Sequence, residues 1–270
     1  MSKKKFIGIG IGLILVVAAA AGYILRPTAK VSAPIEAIPV EVEDAEPEKA
    51  DAAHADDMDA DKKDEEMAAE SEEADSGSDM DSTASDEIAA PEGALIFTII
   101  PEESEARFTM DELLRGVPTT VVGVTDQVAG EIAIDPENPA NATVGTILVN
   151  ARDLTTDSEF RNRAINNKIL ETGKYEFITF EPTSLVNFPE NPQIGTELSF
   201  LIVGNLTIRD ITQEVTFDAQ VTVISEERIE GFATTMVPRA DYDLQIPSVP
   251  SVAEVDEEVL VEIDFVAVTK

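Results

Sequence analysis

Apolar and polar residues alternate with a period of two over long stretches in the C-terminal part of the chain, the mark of strands with one buried and one wet face. Val215, Phe217, Ala219, Val221 and Val223 alternate with Glu214, Thr216, Asp218, Gln220 and Thr222. Ala106, Phe108 and Met110 alternate with Glu105, Arg107 and Asp111, and Val128, Ile132 and Ile134 alternate with Gln127, Glu131 and Ala133 through Gly130. Leu198, Phe200, Ile202, Leu206 and Ile208 share one face of a further run, with Gly204 where a kink or bulge would relieve curvature. A last strand runs from Val259 to Val268. Turn-forming residues at 126, 135–139, 189–195, 209–210 and 226–227 separate the runs at short intervals, which favours antiparallel hairpins over βαβ crossovers. One short helix is predicted over 158–167, with caps offered by Thr155, Thr156 and Asp157 and with Phe160, Ala164 and Ile165 at helical spacing. The pattern predicts a mainly β domain over 94–270, an antiparallel barrel of about eight strands, because closure removes exposed edges.

The first 93 residues carry no such alternation. From Phe6 to Leu25 the chain has 20 uncharged residues, enough at about 1.5 Å per residue to span the hydrocarbon core of a bilayer. Lys3, Lys4 and Lys5 precede this run, so residues 1–30 are predicted to form a single-pass cytoplasmic-membrane anchor with its N-terminus inside and the barrel in the periplasm or outside the cell. The competing reading is a signal peptide cleaved after small residues such as Ala19 to Ala21, which would secrete the domain. Residues 31–93 hold 23 acids against 3 lysines and no aromatic residue, a disordered acidic linker by composition. His54, Met58, Met67 and Met80 within it suggest a loose cation-binding tract at most, and a solvated spacer is the plainer reading.

Composition then removes whole classes of function. The 270 residues include 19 basic and 54 acidic side chains, a net charge of −35, with no cysteine and no tryptophan. Thiol chemistry, disulfides and cysteine metal sites are excluded, and nucleic acid is no partner for so acidic a chain. The single histidine lies in the linker, so the folded domain has no histidine base and no Ser-His-Asp triad. No enzyme, cofactor or metal site is predicted, and protein partners are not specified.

A set of motifs runs in order through the domain. Phe97 to Phe108 contains Pro101 and Ser104, Gly116 and Gly123 precede a run from Gly130 to Asp135 and Pro136, and Asp153 to Arg163 carries Thr156, Asp157, Arg161, Asn162 and Arg163. Tyr175 to Phe180 and Val203 to Val215 follow. In order and spacing these resemble the YceI-like family, lipid- or polyisoprenoid-binding proteins of lipocalin-like fold. Glu176 stands where that family usually has proline, and Arg209 and Asp210 stand in place of its common His-Gly.

The resemblance implies a binding module whose barrel encloses an isoprenoid, quinone, polyprenol, fatty acyl or related lipid. The candidate lining is the inward apolar set Phe108, Met110, Ile132, Phe180, Phe200, Ile202, Leu206, Phe217, Phe232, Met236 and Phe265. Arg161 and Arg163 are candidates for an anionic or quinone headgroup. The resulting expectation is an exported, membrane-tethered lipid binder for transport, storage or stress protection. The alternative is a structural or interaction domain whose barrel is filled by these same side chains, with a lipid-modifying enzyme as a weaker third reading. The proline-rich stretch 246–250 is read as a connection across one barrel end.

Overall fold

The computed structural model describes residues 28–30, 33–41, 91, 93–247 and 252–269. Its strands are β1 (Leu95–Ile99), β2 (Glu105–Leu114), β3 (Val117–Thr125), β4 (Val128–Ala129), β5 (Glu131–Ile134), β6 (Thr143–Val144) and β7 (Ile147–Asn150). There follow β8 (Phe177–Val186), β9 (Glu197–Ile208), β10 (Ile211–Ser225), β11 (Arg228–Pro238), β12 (Val252–Val255) and β13 (Glu258–Thr269). They form one sheet along the path β4-β7-β8-β9-β10-β11-β13-β1-β5-β6, with β2, β3 and β12 branching from it, and every pairing is antiparallel. The curl brings one end of the path, β4, beside β5, the strand next to its other end: β4 pairs with β7, β5 pairs with β1 and β6, and only Gly130 separates β4 from β5. A side chain at Gly130 would collide with the Ile147 Cδ1 methyl, 2.5 Å from where a Cβ would stand.

A simple ring of about eight strands is therefore corrected to a curled sheet of thirteen segments with a branch. Long runs are broken where they must bend. The stretch 95–114 divides into β1 and β2 at a 3₁₀ turn over Pro101–Glu103, yet both halves pair with β13. In β9 the buried positions alternate without a break through Gly204, and the irregularity lies in the partner strand, between Pro182 and Ser184.

The membrane tether is corrected too. Among the described residues no helix is long and apolar enough to cross a membrane. The span expected over 6–25 lies outside the described residues, as does the His54 tract. The anchor, the single-pass location and the membrane partner thus have no structural support and drop out of the functional reading. Part of the expected linker packs on the domain: Ile35 is buried, and the Val40 N–H donates to Glu131 Oε2 at 3.1 Å. Residues on both faces of β5 are consequently buried, Glu131 and Ala133 as well as Ile132.

The helix is shorter than its pattern suggested. α1 covers Glu159–Ala164 and continues into one turn of π-helix over Ile165–Ile169. Ser158 caps it, its Oγ accepting from the Arg161 N–H at 3.4 Å. Ile165 and Leu170 turn into the core while Phe160 is 51% exposed, because so short an element presents only its C-terminal end to the sheet. The β2–β3 hairpin closes through Arg115 and Gly116, both at positive φ (53° and 80°), the backbone that a two-residue type I′ turn requires.

Candidate functional site

Inward-facing side chains do not fill the curled sheet. Among the described residues it holds apolar cavities of about 190 Å³ and about 90 Å³. The larger lies against α1 and the π turn, between β2, β7–β11, β13 and the segment 239–246. Its wall is apolar except for Arg107, Glu112, Arg161 and Arg239. The smaller lies toward β1, β5 and β6, and every residue around it is apolar. Ile147, Phe180, Phe217 and Ile263 border both cavities. The Phe180 and Phe217 rings meet edge to face, 4.8 Å between centroids.

A Phe-rich wall stays hollow because three rings pack against glycines of neighbouring strands. A Cβ at Gly123 would stand 2.2 Å from the Phe108 ring, one at Gly204 2.7 Å from the Phe180 ring, and one at Gly231 2.4 Å from the Phe265 ring. Each ring occupies the volume of the absent side chain, so part of its bulk is taken up in the wall.

The sequence candidates divide between these features. Phe108, Met110 and Leu206 border the larger cavity, Ile132, Phe200, Ile202 and Phe265 the smaller, and Phe180 and Phe217 both. Phe232 and Met236 border neither. On β11 the inner face belongs to Ile229, Ala233 and Val237, all buried, so Phe232 and Met236 have the outward parity and Met236 is 52% exposed. Arg161 borders the larger cavity, its Nη2 2.9 Å from Glu112 Oε1 and its Nη1 paired with Asp157. Arg163 lies away from it, paired with Glu159 at 3.3 Å.

Several residues of this end escaped the sequence reading. Glu112 continues the inward parity of Ala106, Phe108 and Met110 and keeps only 9% side-chain exposure, so a carboxylate at that position is the signal. Arg239 closes the 239–246 segment over the cavity: Nη2 donates to Glu257 Oε1 at 2.6 Å, Nε to the Asp256 carbonyl at 3.0 Å and Nη1 to the Leu244 carbonyl at 3.2 Å. Ile246 borders the cavity, while residues 248–250 of the expected connection lie outside the described residues. A buried polar network braces the chain after the π turn. Arg152 donates to Glu176 Oε2 and to the Thr172 carbonyl, both at 2.6 Å, and the Thr172 hydroxyl donates to Asn166 Oδ1 at 2.6 Å.

Two ionisable groups are shifted by burial. Burial, with Asp241 nearby, pushes the Tyr242 phenol up to about 12. Burial and the neighbouring Asp126 raise Asp153 above the ordinary aspartate value, against the lowering effect of the Thr125 hydroxyl. Among the described residues no three His, Cys, Asp or Glu side chains are grouped to hold a metal ion.

Comparison with known proteins agrees with this architecture. A UPF0312 protein of Vibrio parahaemolyticus is 26% identical over 148 residues, which is 53% of this chain and 73% of that protein. One from Yersinia enterocolitica is 25% identical over 140 residues, 48% of this chain and 68% of its own. The solved structure of a polyisoprenoid binding domain from Saccharophagus degradans, implicated in plant cell wall breakdown, shares the fold with a TM-score of 0.51 at 16% identity, covering 65% of this chain and 99% of that one. The family model of the YceI-like domain matches residues 97–267, well over half the chain, and the chain belongs to the YceI-like family.

Proposed function

We propose that this domain is a binding module that takes an apolar chain with a neutral polar end, of isoprenoid or related lipid chemistry, into the interior of its curled sheet, with no membrane tether required. The observation that carries the reading is the pair of apolar cavities with charged side chains confined to the larger one. An apolar chain gains about 0.8 kcal/mol for each methylene removed from water, so a dry wall needs few polar contacts to hold it. The Saccharophagus domain described as polyisoprenoid binding supports the ligand class. YceI-like domains bind rather than catalyse, and the one carboxylate in the cavity wall, Glu112, is held by Arg161, with no three His, Cys, Asp or Glu side chains grouped to hold a metal ion among the described residues.

Electrostatics selects the polar end. Arg161 is already matched by Glu112 and Asp157, so the cavity presents no unpaired cation there, and a chain of net charge −35 repels anions at long range. A hydroxyl or carbonyl accepting from the guanidinium fits this site better than a phosphate. The alternative is an interaction domain whose cavities stay empty and whose contacts are made by exposed apolar residues such as Val117, 61% exposed, and Phe160.

Native mass spectrometry of the full chain purified without detergent, followed by organic extraction, separates the two. One neutral lipid per chain, lost on unfolding, supports binding. A ligand-free protein that also refuses added farnesol moves the interaction reading to first place.

A further inference from the structure

We propose that the ring of Ile147, Phe180, Phe217 and Ile263 is the element that sets how long an apolar chain the site accepts, an inference that rests on the binding reading above. These four side chains are the common border of the two cavities, so they form a waist through which a chain in the larger cavity must pass to reach the smaller. The aromatic pair closes it: the rings stand 4.8 Å apart edge to face, and both residues are buried. Phe180 has no retreat toward its own wall, because its ring already covers Gly204 and lies close enough that even a Cβ there would be within 2.7 Å. Opening the waist therefore falls to Phe217.

The volumes turn this into a length limit. An apolar cavity of about 150 Å³ holds a ligand of benzene size, so the larger cavity, about 190 Å³, takes roughly the last six to eight carbons of a chain. Beyond the waist another 90 Å³ is available only if the rings part. Affinity should rise about fourfold for each added methylene while the larger cavity fills, then level off. Without the Phe217 ring the two spaces join and the rise should continue.

The test is isothermal titration calorimetry of the full chain with 1-alkanols from butanol to dodecanol. The comparison set is wild type, Phe217→Ala, the milder Phe217→Leu in case the alanine variant unfolds, and Phe232→Ala as a control whose ring borders neither cavity. The expected result is a plateau near octanol in wild type and Phe232→Ala, and a plateau displaced by several carbons in the Phe217 variants. A wild-type gain that continues undiminished to dodecanol, or a plateau that stays in place in a folded Phe217 variant, overturns the waist and leaves the binding reading standing. Failure to bind any alkanol overturns the binding reading, and the waist with it.

Discussion

Gly123→Ala tests the claim that glycines seat the aromatic wall. Gly123 and Phe108 are direct cross-strand partners on β3 and β2. A Cβ at position 123 would stand 2.2 Å from Phe108 Cε1, 2.5 Å from Cζ and 3.0 Å from Cδ1, and these ring atoms are its nearest neighbours. The methyl can be admitted only if the ring swings off its seat, and the direction open to it is the larger cavity that Phe108 borders. Overpacking of this kind costs roughly 1–3 kcal/mol, and room in the cavity puts the expected loss at the lower end. In a domain of this size each kcal/mol moves Tm by about 2–4 °C, so Gly123→Ala should lower it by about 2–6 °C. Gly123 does not adopt positive φ, so alanine itself suits the backbone. In a Phe108→Leu background the same change should cost nothing or add up to about 1 kcal/mol through loss of unfolded-state freedom. Urea denaturation of the four proteins of this cycle gives the coupling directly. If the two substitutions add within about 0.5 kcal/mol, the ring is not what excludes the methyl and the seating argument fails.

Three further outcomes follow from named groups. A Tyr242 phenol at about 12 in the folded state lies above its value of about 10 in the unfolded chain, so its contribution to stability is intact below pH 10 and is lost as pH rises toward 12. Its hydroxyl is buried with no hydrogen-bond partner among the described residues, so Tyr242→Phe should hold or raise stability by about 1 kcal/mol in urea melts at pH 8 and abolish that alkaline loss at pH 11. For Asp153 the raised folded value means that stability falls as pH climbs from the unfolded value through the folded one, so Asp153→Asn should stabilise at pH 7 and do less at pH 3, read from chemical denaturation at both. Arg161→Leu strips Glu112 of its partner and should cost about 1–3 kcal/mol, whereas adding Glu112→Leu should recover most of it, a coupling measured by the same melts.

Much of this architecture is written in the period of two. In β9 and β10 the apolar side of the alternation is the inner face, and Leu206, Phe200 and Phe217 stand on it. Where both parities of a strand carry apolar residues, alternation does not say which face is inside. On β11 the bulky Phe232 and Met236 drew the inward assignment, while the smaller Ile229, Ala233 and Val237 hold the interior, because cross-strand partners such as Phe265 take up the space over Gly231. Strand count was not legible for a related reason. Bends at Pro101 and Gly130 answer the curl of the whole sheet, and a local pattern does not carry that curl. The glycine seats need register between strands, and Glu112 was hidden among many acids until its inward parity met Arg161 on α1. A hydrophobic run at 6–25 reads as a membrane span in isolation, and it is the described residues that carry the functional reading instead.

The most direct test of a chain-binding interior is a methyl NMR titration of isoleucine-labelled full-length protein with 1-octanol. Ile147, Ile165 and Ile178 border the larger cavity, while Ile38 and Ile194 are exposed and border neither. Saturable shifts of the interior methyls with the exposed ones unmoved are expected. Interior methyls that stay still while Ile38 or Ile194 shift would place the alcohol on the surface and contradict an apolar binding site inside the sheet.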